Sequence, residues 1–226
     1  MEEFQRIPLL DLGNVIVRVD FEPFFLWLQS RSKLDDLNKI RALLTSSLFF
    51  DFEFGNIPRQ EFARRVRGLY QAEFSDEELE EKFCGIFPGL VDGMEDLLRE
   101  LAAMGPVYCL TNTNELHLQH CLREFSILHS FTKIFSSYQL KRRKPYPGIY
   151  RDVAREIGVD ARLLVFVDDS HANVKGAIRA GLEAHVFSDR SQVQNLLLKE
   201  NAGTDDIELG AVVGLIEGPV EGGNLT

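Results

Sequence analysis

Leu163-Leu164-Val165-Phe166-Val167-Asp168-Asp169-Ser170 decides the fold: five apolar residues in succession, stopping at two carboxylates. A strand with one wet face alternates polar and apolar residues. An unbroken run is buried on both faces, as in a parallel sheet covered by helices. Downstream, residues 172–180 carry apolar positions at the helical period, end before Gly181, and lead into Ala184-His185-Val186-Phe187, which stops at Ser188-Asp189. Upstream, 147–157 fits the same period and ends before Gly158. Two further apolar runs, Val107-Tyr108-Cys109-Leu110 and Ile7-Pro8-Leu9-Leu10, run into Thr111-Asn112 and Asp11. Helical patterns also cover 95–104 (closed by Gly105), 114–125 and 191–198. Glycine suits such helix ends because it turns left-handed without steric cost.

Strands alternating with helices over 91–199 imply an α/β fold, a Rossmann-like doubly wound parallel sheet. The stretch 20–88 breaks this rhythm, with several helical segments and no buried strand. It holds 11 of the 17 phenylalanines, and reads as a small helical cap domain inserted after the first strand. The expected organisation is therefore a core of residues 1–19 and 89–200, a helical cap at 20–88, and a loosely ordered, acidic, Gly-rich tail at 201–226.

The chain has 226 residues, 45% hydrophobic and 27% charged, enough apolar material for a sizeable core. Its formal charge of -10 and pI near 5.0 disfavour nucleic acid and anionic membranes as partners. Much of that charge is local: the six acids from Glu200 to Glu221 meet no Lys or Arg in the last 27 residues. Three cysteines without metal-ligand spacing suit buried thiols in a reducing compartment. With no apolar stretch near the roughly 20 residues that span a bilayer and no signal-like N-terminus, a cytoplasmic monomer or homodimer is expected.

Polar residues gather where the apolar runs end: Asp11, then Thr111 and Asn112, then Asp168 and Asp169. Open α/β sheets bind ligands just outside the carboxyl ends of their strands, so these residues converge on one crevice. Three carboxylates brought together repel one another, which a hard divalent cation relieves. Thr111 and Asn112 can donate to an anion, and Lys144, within Lys141-Arg142-Arg143-Lys144-Pro145, adds positive charge. Taken singly, each has a plain structural use: an aspartate at a strand end, a helix cap before Ser170, a solvated basic turn.

Their order resembles the haloacid dehalogenase superfamily over about residues 7–190. Asp11-Leu12-Gly13-Asn14-Val15 matches the first motif, Leu110-Thr111-Asn112 the second, Lys144-Pro145 the third, and Val165-Phe166-Val167-Asp168-Asp169-Ser170 the fourth. Glu53-Phe54-Gly55-Asn56-Ile57 followed by Glu61-Phe62 is similar to that superfamily's inserted helical cap. The DLGNV, TNTN, RKP and VDDSHAN strings look most like the glucose-1-phosphate phosphatase group and the phosphatase domain of soluble epoxide hydrolase. The resemblance implies a Mg²⁺-dependent phosphatase acting on a small phosphorylated metabolite. Asp11 is then the nucleophile, Thr111, Asn112 and Lys144 hold the phosphoryl group, and Asp11, the Gly13 carbonyl and Asp169 hold the metal. Asp168 would support that set or bind through water.

Gly13 departs from the superfamily's usual second aspartate, which protonates the leaving alcohol. His171 is a candidate replacement, although a histidine so placed more often faces solvent. The aromatic run from Phe49 to Phe54 is expected to fill the cap's own core, with pocket lining as its other use. Arg59, Arg64, Arg65 and Arg67 are expected to be solvated, and His117 and His120 lack a third metal ligand. Two other readings remain open: a metal-independent hydrolytic dehalogenase, which the glycine also fits, and a catalytically weak regulatory protein on the same fold.

Overall fold

The computed structural model describes residues 6–34 and 36–198; the tail expectation for 201–226 falls outside them. The chain runs β1 (Ile7–Leu10), α1 (Glu22–Arg31), α2 (Leu37–Arg41), α3 (Ser47–Glu53), α4 (Arg59–Tyr70), α5 (Asp76–Cys84), α6 (Met94–Met104), β2 (Tyr108–Thr111), α7 (Glu115–Glu124), β3 (Lys133–Ser136), α8 (Ser137–Leu140), α9 (Pro147–Ile157), β4 (Leu164–Asp168), α10 (His171–Ala180), β5 (Glu183–Val186) and α11 (Arg190–Leu197). The five strands form one sheet in the order β3-β2-β1-β4-β5, every neighbouring pair parallel.

Alternation along the central strands sends successive side chains to opposite faces. Leu10, Cys109, Val165 and Val167 meet α6, α7 and α11 through Leu97, Leu98, Leu118, Cys121, Val193 and Leu197. Leu9, Leu110, Leu164 and Phe166 meet α9 and α10 through Ile149, Tyr150, Val153 and Ala177. All five residues of β4 are buried, as its unbroken run requires. Gly158 and Gly181, at φ 85° and 95°, end α9 and α10 in the left-handed conformation.

Two strands differ from expectation. β3 is invisible in the sequence because only Ile134 and Phe135 separate Lys133 from Ser136. It forms at the edge by pairing with β2 in the register Cys109↔Ile134 and Leu110↔Phe135, burying Phe135. β5, read as buried on both faces, is half-buried throughout, because it is the opposite edge.

Helices α1–α5 lie between β1 and β2 in sequence and have their own core. Phe83 sits at its centre, with ring centroids 5.0 Å from Phe24, 5.5 Å from Phe62 and 6.3 Å from Phe52. Side-chain caps start the helices: Asp36 on α2, Ser46 on α3, and a reciprocal Ser75–Glu78 capping box on α5. The chain enters and leaves this insert through two paired crossings. Arg18 N donates to Gly89 O, Asp20 N to Ile86 O and Val91 N to Ile16 O, each at 2.8–2.9 Å. Cys84, Cys109 and Cys121 are buried free thiols. Among the described residues, no helix is long and apolar enough to cross a membrane.

Candidate active site

β1, β2 and β4 deliver their carboxyl ends side by side. Asp11 continues the β1–β4 pairing, its N–H donating to Val167 O at 2.9 Å, and its Oδ1 accepts from Leu12 N at 2.7 Å. Lys144, 1% exposed, reaches into this corner. Its Nζ lies 2.7 Å from Asp11 Oδ1 and 2.6 Å from Asp168 Oδ2, and donates to Leu110 O at 2.8 Å. Two hydrogen bonds and a second ion pair thus surround this buried ammonium.

The Lys144 loop is fixed from two sides. Asn112 makes a reciprocal pair with its backbone: Lys144 N donates to Oδ1 at 2.9 Å, and Nδ2 donates to Lys144 O at 3.0 Å. The Asn112 side chain is therefore spent partly on holding Lys144 in place, a task the strand-end reading did not assign. On the other side, a Cβ on Gly176 of α10 would lie 2.2 Å from Pro145 O. Only a glycine lets that helix rest against the loop.

The two aspartates of β4 have separate environments. Asp168 is fully buried; Oδ1 accepts from Ser170 N at 2.8 Å and Asn173 Nδ2 at 2.9 Å, while Oδ2 faces Lys144. Burial pushes its carboxyl up, but the Lys144 charge and these donors outweigh it and hold it below the ordinary value. Asp169 is exposed, and its Oδ2 accepts from Asn14 Nδ2 at 3.2 Å. Asn14 itself sits at φ 54° and ties the loop down by accepting Val19 N on its Oδ1. Asp11, Asp168 and Asp169 each offer an oxygen within 4.8 Å of the others. Burial pushes the Asp11 carboxyl up, with Asp168 adding and Lys144 opposing. Lys144, by contrast, is held above its ordinary value because the two carboxylates overcome its burial.

Asp11 and Lys144 floor a cavity of about 240 Å³ also lined by Gly13, Thr111, Asn112 and Asp169. The insert closes it from above with Phe21, Leu44, Phe49, Ile86 and Glu53. Phe49 and Phe52 belong to the insert's core, and Phe49 also meets the cavity. Arg59, Arg64, Arg65 and Arg67 pair with Glu80, Glu61 and Asp76 and do not line it. His171 is exposed and is absent from the lining.

Sequence reading missed Asn173, Glu53 and the seat of His117. Asn173 stands five residues after Asp168, one turn into α10, which is the spacing that returns an amide to the strand end. His117 is a joint between the two cores: Nδ1 meets Asn114 Nδ2 at 3.1 Å and Nε2 meets Phe83 O at 3.0 Å. Amide donation fixes Nδ1 as acceptor and Nε2 as the protonated nitrogen, a neutral ring. Burial pushes its pKa down to about 3.

Comparison with known proteins places this geometry. D-ribitol-5-phosphate phosphatase of Bacteroides thetaiotaomicron is 26% identical over 181 residues, covering 77% of this chain and 88% of that protein. 6-phosphogluconate phosphatase of Escherichia coli is 31% identical over 123 residues, 53% of this chain and 51% of its own. A crystal structure of a HAD family enzyme from Bacteroides thetaiotaomicron, in complex with magnesium and inorganic phosphate, superposes with a TM-score of 0.75 at 26% identity, covering 84% of this chain and 98% of that one. The family described as haloacid dehalogenase-like hydrolase matches residues 10–181, from the end of β1 to the glycine that closes α10. With strand-end carboxylates, buried lysine and helical insert arranged in that order, the chain belongs to the haloacid dehalogenase-like hydrolases.

Proposed function

We propose that the protein is a Mg²⁺-dependent phosphatase that hydrolyses a small phosphate monoester, of sugar- or polyol-phosphate size, through a phospho-aspartate on Asp11. The observation that carries this reading is the buried Lys144 ammonium within 2.7 Å of both Asp11 and Asp168, beside Thr111, at one end of the sheet. Phosphatases of ribitol 5-phosphate and 6-phosphogluconate among the relatives support the substrate class.

The donor set fits a hard cation. Three carboxylates face one ammonium, an excess of negative charge in a mostly buried corner, and all the side-chain donors are oxygen. Asp11, the Gly13 carbonyl and Asp169 would hold the ion, with Asp168 supporting them, since its oxygens already serve Lys144, Ser170 and Asn173. When bound, Mg²⁺ supplies positive charge to the phosphoryl oxygens and keeps Asp11 ionised.

Within that frame Asp11 attacks phosphorus in line, and the phosphorus–ester bond breaks as the carboxyl–phosphorus bond forms. Thr111 and Lys144 hold equatorial oxygens, and Asn112 keeps Lys144 in position. Water then cleaves the phospho-aspartate. Residues 20–88 act as a cap that selects the leaving group and excludes bulk water. The test is a screen of phosphate esters with and without chelator, with Asp11→Asn as control. Mg²⁺-dependent phosphate release lost in the variant supports the reading. Release of chloride from a haloacid without metal would replace it with a dehalogenase, which Gly13 also fits.

A further inference from the structure

With Gly13 where the family's second aspartate would stand, the first loop offers no proton to the departing alcohol. Among the described residues, the cavity is lined by five titratable ones: Asp11, Asp169, Lys144, His117 and Glu53. Asp11 is the nucleophile, Asp169 the open metal donor, and Lys144 is bound to two carboxylates. His117 has both ring nitrogens engaged. Glu53 is left without an assigned role.

Glu53 is the last residue of α3, 6% exposed, and lines the cavity from the insert. Its Oε2 is buried and makes no hydrogen bond. The Arg143 guanidinium lies 3.1 Å away, off the hydrogen-bonding line, and stacks on Phe50 at 4.5 Å. The core holds the Glu53 backbone in place: Ser137 Oγ donates to Glu53 O at 3.3 Å, and Lys141 Nζ to Phe54 O and Gly55 O at 2.7 and 2.8 Å. A buried carboxylate oxygen that faces a charge but accepts no hydrogen bond costs free energy, and such groups gather at functional sites.

We infer that Glu53 is the acid that protonates the leaving alcohol, supplied from the insert in place of the carboxylate Gly13 lacks. This rests on the phosphatase reading above. Burial raises the Glu53 carboxyl above its ordinary value, with Arg143 and then Lys144 opposing, which favours the protonated form that an acid needs. In the first half-reaction Asp11 forms its bond to phosphorus, the ester oxygen leaves, and the Glu53 proton passes to that oxygen. In the second half the Glu53 carboxylate takes a proton from the attacking water. The oxygen forms its bond to phosphorus, the bond to Asp11 breaks, and Glu53 is acid again. Atoms and protons balance over the cycle.

The test compares two esters in wild type, Glu53→Gln and Asp11→Asn: the alkyl phosphate that wild type turns over best, and 4-nitrophenyl phosphate, whose leaving group needs no proton. General acid help is typically worth about 10²- to 10⁴-fold. Glu53→Gln is expected to lose about 10²-fold or more on the alkyl ester, while its pre-steady-state burst of nitrophenolate survives near the wild-type rate. A surviving burst also reports a folded site. As a second reading, Arg143→Gln removes the charge that holds the Glu53 pKa down, so the basic limb of the kcat profile moves to higher pH. A nitrophenolate burst slowed as much as alkyl-ester turnover, no loss on the alkyl ester, or an unmoved basic limb in Arg143→Gln would overturn the role of Glu53. A wild type that hydrolyses neither ester overturns the phosphatase reading and this inference with it.

Discussion

At the sheet's carboxyl end, the Lys144 ammonium is wedged between two carboxylates at 2.6 and 2.7 Å. Across the cavity, the insert is organised around Phe83, whose ring lies 5.0 Å from Phe24 and 4.1 Å from the neutral His117. One side of the same cavity is built from charges that must cancel, and the other from rings that must pack. Charges at strand ends are placed by the sheet's hydrogen-bond ladder, which tolerates little movement. An apolar helical layer is held by non-directional burial, so its composition can drift while its place is kept. On the proposed function, the sheet end carries the phosphoryl chemistry, and the insert carries the pocket wall and the acid inferred at Glu53.

The largest effect should come from the sheet end. Asp11→Asn removes the proposed nucleophile while keeping its shape, and ester turnover should fall by about 10³-fold or more. The thermal midpoint should change little, because Lys144 keeps Asp168 as partner. A variant that keeps activity, measured by phosphate release, would break the comparison. Lys144→Met should cost stability as well as turnover. It leaves Asp168 buried without its counter-charge, a loss of about 3–5 kcal/mol, read by denaturant midpoints at pH 7.

Phe83→Ala probes the other side. Truncating a fully buried phenylalanine costs about 3–5 kcal/mol, and amide-exchange protection should fall across α1–α5 while β1, β2 and β4 retain theirs. Equal loss in both regions would mean that the two cores open as one. His117 gives a milder, pH-dependent signature. Its folded pKa, about 3, lies below the unfolded value near 6.5, so the unfolded chain binds the extra proton. The stability it contributes is full above about pH 6.5 and drains as pH falls toward 3. His117→Gln should flatten this slope in denaturation measured from pH 7 to 4. Smallest of all, Lys141→Met should loosen the strap on Phe54 and Gly55 that seats Glu53 and lower kcat on an alkyl ester a few-fold.

Much of the sheet was legible because β1, β2 and β4 are unbroken apolar runs, and burial on two faces leaves that mark. β3 was not, since an edge strand with two apolar residues carries no periodic signal. The strand-end residues were legible for a related reason: a parallel sheet gathers its carboxyl ends whatever the loop lengths. The partnership of Asn112 with the Lys144 backbone was hidden, because it joins residues 32 apart through a loop that no local rule positions. Glu53 stood in plain view beside Gly55, but the direction its side chain takes depends on how α3 packs and on the Lys141 strap.

The paired crossings at Val17 and Leu90 bear on how the molecule folds. β1 must find β2 across the Leu9↔Tyr108 register, a closure of about a hundred residues. An insert that forms early, from contacts within its own helices, brings residues 17 and 90 side by side and shortens that search to roughly a quarter of its length. This saves about 1 kcal/mol of closure entropy and lowers the effective contact order of the slowest pairing. The helical insert would then set the tempo of assembly, and Phe83→Ala should slow refolding as well as speed unfolding.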